Sequence, residues 1–315
     1  MNKVTVIGAG NVGATVAECV ARKDMVKEVL LIDIKEGLSE GKALDIAESA
    51  PIHLFDTVVK GVTNNYDATA DSDICVITSG VPRRPGMSRD DLLGINAKIV
   101  RTVTESFVAQ SPNAIIIVIS NPLDVMTYVA HETSGFPSSR VFGMAGVLDT
   151  ARFRAFISME LGASVKDIQA LLMGGHGDTM VPLPRYTSVG GIPLTELLPK
   201  DRIEEIVNRT KSGGGEIVQL MGTSAWYAPG GAAAEMVEAI VKDSGRVLPC
   251  AACPSGEYGL SNLFIGLPVR LGRSGIEEII TVDLNEAEQS LLDTSATHVR
   301  SNFEALRRVL SQTGP

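Results

Sequence analysis

The apolar run Val4-Thr5-Val6-Ile7 leads without a linker into Gly8-Ala9-Gly10-Asn11-Val12-Gly13, and residues 11–22 then follow a helical period. Few folds accept a glycine pattern in that place. Gly8 permits a tight turn, Gly10 lets backbone approach a pyrophosphate, and Gly13 lets helix and strand pack closely. The helix N-terminus then offers unpaired N–H groups and the positive end of a dipole to phosphate. A second apolar run, Val29-Leu30-Leu31-Ile32, ends in Asp33, 20 residues after Gly13. A carboxylate there accepts hydrogen bonds from an adenosine ribose and repels a 2′-phosphate, which favours NAD over NADP. Lys35 softens that preference, and a ligand-free glycine turn is the bland alternative.

The rest of the first half repeats the alternation. Strands are expected at 3–8, 29–33, 57–61, 74–78, 114–119 and 140–142, and helices near 11–22, 38–48, 91–110 and 123–134. Ile74-Cys75-Val76-Ile77 and Ala114-Ile115-Ile116-Ile117-Val118-Ile119 are apolar without alternation, the mark of parallel strands buried on both faces. After about residue 145 the pattern changes. A helix near 149–161, a strand at 168–173, helices near 201–221 and 230–243, three strands at 246–253, 263–270 and 276–282, and a long helix at 285–310 read as mixed α+β. Ser212-Gly213-Gly214-Gly215 predicts a break or kink in its helix. The fold class is therefore α/β: a Rossmann-type doubly wound parallel sheet, residues 1–145, followed by a mixed α+β substrate-binding and catalytic domain, residues 146–315.

The formal charge of -9 argues against nucleic acid and anionic membranes as partners, since both call for basic patches. No apolar run reaches the length of a membrane span, and no signal peptide is read at the N-terminus. Cys19, Cys75, Cys250 and Cys253 are too scattered for a disulfide framework, so a cytoplasmic location is the default. No second CxxC or neighbouring histidine completes a metal set around Cys250-Ala-Ala-Cys253, which reads as two structural cysteines on a buried strand.

Chemistry is suggested at three places. His176 lies between glycines in Gly174-Gly175-His176-Gly177-Asp178, while His53, His131 and His298 have ordinary surroundings. Asp149 and Arg152 are three apart on a helical stretch, hence on one face. Residues 79–91, SGVPRRPGMSRDD, gather Arg83, Arg84 and Arg89 in a loop whose glycines and prolines rule out helix and strand. Hydride transfer to a ketone needs a proton donor, a cation for the developing charge and a clamp on the substrate. His176, Arg89 and Arg152 have the right chemistry for those roles.

GAGNVG, the terminal Asp33, PRRPGMSRDDLL at 82–93, SNPLD at 120–124, GMAGVLDTARF at 143–153 and GGHGD at 174–178 together resemble the lactate/malate dehydrogenase family, in order and over the whole chain. GGHGD with GTSAWYAP at 222–229 is most similar to its lactate-dehydrogenase-like malate dehydrogenase branch. The CxxC and the triple glycine are not among the motifs that carry the likeness. The resemblance implies reversible hydride transfer between (S)-malate and oxaloacetate, a reaction of the tricarboxylic acid cycle. His176 would be the proton acceptor and donor, Asp149 its hydrogen-bond partner and Arg89 the catalytic cation. Arg83 and Arg152 would grip the two carboxylates, with Arg89, Asn121 and Ser224 also lining the substrate pocket. NAD would contact Gly8, Ala9, Gly10, Asn11, Val12, Gly13, Asp33, Asn96, Ile119, Ser120 and Asn121, and no metal is implied. The loop at 80–91 would close over substrate. A homo-oligomer is implied, a tetramer before a dimer. The alternatives are an L-lactate or other 2-hydroxy-acid dehydrogenase, a non-catalytic NAD-binding sensor, and an NAD-dependent glycosidase, for which metal ligands would be expected.

Overall fold

The computed structural model describes residues 1–82 and 88–312. The first half runs β1 (Lys3–Ile7), α1 (Asn11–Arg22), β2 (Glu28–Asp33), α2 (Leu38–Glu48), α3 (Ala50–His53), β3 (Val58–Thr63), β4 (Ile74–Ile77), α4 (Arg89–Val108), β5 (Ile115–Val118), α5 (Leu123–Ser134) and β6 (Val141–Gly143). The second half runs α6 (Ala145–Leu161), β7 (Ile168–Gln169), β8 (Leu172–Met173), β9 (Val181–Pro182), β10 (Ser188–Val189), β11 (Ile192–Pro193), α7 (Leu194–Leu197), α8 (Lys200–Met221) and α9 (Tyr227–Val241). It ends in β12 (Arg246–Ala252), β13 (Ile265–Gly272), β14 (Gly275–Ile279) and α10 (Glu286–Gln312).

Among the described residues, nine strands form one sheet in the order β14-β13-β12-β6-β5-β4-β1-β2-β3. Strands β1 to β6 are parallel, and β12, β13 and β14 extend them antiparallel from the β6 edge. The two halves of the chain thus share a sheet. Residues of β4 and β5 divide between two cores by the strand period of two. Ile74, Val76, Ile115 and Ile117 face the helix layer of α1 and α9, while Cys75, Ile77, Ile116 and Val118 face α4, α5 and α10. That two-sided burial is why these strands lack alternation. A third core lies between α6 and α8, around Phe153, Ile157, Ile203 and Ile206.

Several expected boundaries move. Residues 168–173 are not one strand: β7 pairs with β10, β8 pairs with β9, and Ala170-Leu171 carries the chain between the two. Helix α6 begins at Ala145 rather than 149, so Asp149 and Arg152 lie in its second turn. Helix α4 begins at Arg89, because Ser88 and Asp91 form a capping box. Helix α8 runs unbroken through Gly213-Gly214-Gly215, so the predicted break is absent. Three glycines in a helix interior cost about 1 kcal/mol each against alanine, which the packing of Ile203, Ile206 and Thr210 outweighs. Cys250 is buried in β12 and Cys253 follows its end, half-buried; all four cysteines are free.

Candidate active site

Strand order reverses between β4 and β1, and in open α/β sheets ligands bind in the crevice beyond the strand ends at such a switch. Gly8, Thr78, Ser79, Ser120 and Asn121 all lie on that edge. Gly8 has φ +107°, and a Cβ there would stand 2.9 Å from the backbone nitrogen of Ser79. A Cβ on Gly13 would stand 1.8 Å from the Gly8 carbonyl oxygen, so both glycines are required by close approach. Gly10 differs, because nothing lies within 4 Å of its Cβ position. It is the N-cap of α1 and makes no side-chain cap, which leaves the first N–H groups of that helix without a side-chain acceptor from the cap. A pyrophosphate fits this cradle in both shape and charge.

The Asp33 carboxylate, at the end of β2, accepts from the Ala9 N–H at 2.7 Å and from the Lys35 N–H at 3.0 Å. It therefore holds the glycine turn in place while keeping lone pairs for a ribose. Ile119 and Ser120 are buried, and the Ser120 hydroxyl donates to the Ser79 carbonyl at 2.5 Å. Asn121 is exposed. Asn96 is buried and its amide is spent on backbone: Oδ1 accepts from Val81 N–H at 2.8 Å, and Nδ2 donates to the Asn121 carbonyl at 2.7 Å. It ties the start of the arginine loop to the end of β5.

Across the crevice, His176 Nδ1 and Asp149 Oδ2 are 2.9 Å apart, and Asp149 is buried. The other oxygen, Asp149 Oδ1, accepts from Arg152 Nη1 at 3.3 Å. Burial alone would push the His176 pKa down. The charge and hydrogen bond of Asp149, with help from Asp124, outweigh it, and the pKa is raised. The Asp149 bond occupies Nδ1 and leaves Nε2 as the working nitrogen. Asp124 is the member that sequence reasoning missed. Its Oδ2 accepts from the His176 backbone N–H at 3.0 Å, and its buried Oδ1 has no partner among the described residues. Burial, opposed by the nearby His176, pushes its pKa up to about 7. SNPLD ends in this residue, but helix periodicity cannot show that an acid points inward. Gly175 makes room for it, since a Cβ there would stand 3.3 Å from Asp124 Oδ2.

A glycine turn opening a helix and a histidine bonded to a buried aspartate are features shared with known proteins. Residues 2–143 match the lactate/malate dehydrogenase NAD binding domain, and residues 146–309 match the alpha/beta C-terminal domain of the same family. The chain belongs to the lactate/malate dehydrogenase family. The malate dehydrogenase of Salinibacter ruber is 68% identical over 307 residues, covering 98% of each chain. A solved structure of malate dehydrogenase from that organism superposes with a TM-score of 0.95 at 65% identity, covering 99% of this chain and 100% of that one. A Cryptosporidium parvum lactate dehydrogenase, solved with lactic acid and NAD, gives 0.93 at 39% identity over 97% of this chain and 98% of that one.

Within this family member, the structure brings His176, Asp149 and Arg152 together on one side and Gly8 to Gly13, Asp33, Ser120 and Asn121 on the other. Ser224 is exposed between α8 and α9, with no hydrogen bond to the His176 group among the described residues. Arg83 and Arg84 lie outside the described residues; Arg89 contributes the first turn of α4, and its side chain lies outside them. Among the described residues no group of three or more His, Cys, Asp or Glu could hold a metal ion. None of the helices there is long and apolar enough to cross a membrane.

Proposed function

We propose that the chain is an NAD-dependent malate dehydrogenase interconverting (S)-malate and oxaloacetate. The observation that carries this reading is half-buried His176 bonded to buried Asp149, 2.9 Å apart, with Arg152 one helical turn from Asp149. Gly8 to Gly13 would hold the pyrophosphate, Asp33 the adenosine ribose, and Ile119, Ser120 and Asn121 the nicotinamide side. NAD, when bound, supplies the hydride acceptor. In malate oxidation His176 Nε2 takes the hydroxyl proton as the C2 hydride leaves, and Asp149 stabilises the imidazolium that results. In the reverse direction the same nitrogen returns the proton to the carbonyl oxygen. Arg152 presents a guanidinium on a buried stem to the C1 carboxylate, a two-pronged contact that lysine cannot copy. Asn121 and Ser224 complete the pocket in this reading.

Arg89 would polarise the carbonyl and Arg83 would meet the second carboxylate. The loop carrying them would close over substrate and exclude water. A methyl group opposite a desolvated Arg83 would leave its charge unpaired, a penalty of about 3–5 kcal/mol. Arg83→Gln should therefore shift preference from oxaloacetate towards pyruvate. The experiment is oxidation of NADH, followed by absorbance, with each substrate in the parent and the variant. Inertness of the parent towards both ketoacids would remove the enzyme reading. An unchanged ratio of kcat/KM in the variant would remove Arg83 alone.

The same reading extends to a cytoplasmic, homotetrameric enzyme of the tricarboxylic acid cycle. Free cysteines accord with a reducing compartment, and Leu44, Ile52, Leu54, Leu220 and Tyr227 are large apolar side chains left exposed on the single chain. Analytical ultracentrifugation tests the assembly, and a monomer at micromolar concentration would count against it.

A further inference from the structure

The glycine run in α8 has no part in the chemistry above, yet it lies against a residue that does. The buried stripe of this helix, Ile203-Ile206-Thr210, continues to Gly213. There the neighbour is Arg152: a Cβ on Gly213 would stand 3.4 Å from Arg152 Cδ, and one on Gly214 would stand 3.8 Å from Arg152 Nη2. At Gly215 nothing lies within 4 Å. Alanine would thus fit at 214 and 215 at ordinary contact distance or better. It would also favour the helix. Neither a turn nor a positive φ asks for glycine, since the helix is continuous. What three adjacent glycines give a helix is ease of bending.

Arg152 is placed to use that freedom. Its side chain is 15% exposed, and its ion-pair partner among the described residues is Asp149 at 3.3 Å. Its buried Nε has no hydrogen-bond partner there. Outside the run, Arg209 reaches Glu216 with a two-pronged contact at 2.7 and 3.0 Å, tying the turns on either side of the glycines together. Past the run the helix loses cover, with Val218, Leu220 and Met221 exposed, and leads on to Ser224.

We propose that Gly213-Gly214-Gly215 is a compliant joint in α8, through which the helix yields to let Arg152 settle on a substrate carboxylate. This rests on the role given to Arg152 above. The glycines are positioning residues that act through Arg152. The test is the pair Gly214→Ala and Gly215→Ala, made together, which adds no overlap and stiffens the helix. Three quantities are measured: the melting temperature, the affinity for NADH by fluorescence, and kcat and KM for oxaloacetate. The expected result is a higher melting temperature, unchanged NADH affinity, and a kcat/KM lowered about tenfold, as when a hinge is stiffened. The kinetic defect should shrink on warming. A higher melting temperature with parental kinetics overturns the proposal, because stiffness then has no bearing on turnover. A lower melting temperature also overturns it, since packing would then require the glycines. A parent inert to oxaloacetate brings down the proposed function and this inference together; an active parent with an unaffected variant brings down only the joint.

Discussion

Asp124 and His176 show how the site is tuned at the scale of single residues. On the proposed mechanism His176 must start protonated in the reducing direction, so its raised pKa would carry the working window above the ordinary value of about 6.5. Activity with oxaloacetate should fall as pH rises through that pKa, and activity with malate should rise there. Asp124→Asn keeps an oxygen to accept from the His176 backbone N–H and removes the charge near the imidazole. The variant's pH profile should move to lower pH in both directions, with NADH affinity unchanged; a profile that stays in place would refute the electrostatic role. The stability consequence has its own sign. An acid raised to about 7 in the folded state carries no ionisation penalty below its unfolded pKa, about 3.9, and the full penalty above 7. The variant should thus gain about 1–3 kcal/mol in urea unfolding at pH 8 and nothing at pH 4. His176→Asn is the companion test. It should bind NADH nearly as the parent does while losing about a thousandfold or more in turnover, because the proton has no acceptor.

Among elements, α4 links the arginine loop to the crevice. Its start is fixed by Ser88, whose hydroxyl accepts from the Asp91 N–H at 3.0 Å while Asp91 Oδ2 accepts from the Ser88 N–H at 3.1 Å. Ser88→Ala should cost about 1 kcal/mol of stability and raise KM for oxaloacetate, since the first turn carries Arg89. An unchanged KM would separate the cap from the site. The capping pattern was in the sequence, but the helical period alone set the expected start at 91. At α1, α2 and α5 the bounds expected from the helical pattern match the structure. Apolar runs also revealed β4 and β5, because burial on both faces removes every polar position. What could not be seen was the direction of turning. Ile168 to Met173 reads as one strand, yet its two ends pair with different strands. Glycine propensity predicted a break at 213–215, and tertiary packing on α6 overrode it. His176 stood out by its glycines, and Asp149 and Arg152 by their spacing. Asp124 did not, because its role depends on the fold bringing residue 176 over residue 124.

On the scale of the molecule, the two halves hold each other at several places, and two of these bear on the glycine turn. Gly143 at the end of β6 pairs with Ala251 in β12, which makes the sheet continuous. Helix α9 packs on α1, where a Cβ on Gly230 would stand 2.5 Å from Thr15 Cγ2 and 3.2 Å from Thr15 backbone carbon. Thr15 cannot swing aside freely, because it is β-branched and its hydroxyl donates to the Asn11 carbonyl at 2.8 Å. Gly230→Ala should therefore push α1 and α9 apart, at a cost of about 1–3 kcal/mol for overpacking. The displaced helix is the one whose N-terminus would hold pyrophosphate, so NADH affinity should fall with stability. A shared sheet and shared core also predict one cooperative transition, reported alike by far-UV circular dichroism and by the fluorescence of Trp226, which precedes α9. Two separated transitions in the parent would show that the halves fold independently. Parental NADH affinity in a destabilised Gly230→Ala would show that the α1–α9 contact supports the fold without setting the cradle. Loss of both in one transition is the outcome expected of a dinucleotide site whose geometry is held from the far half of the chain.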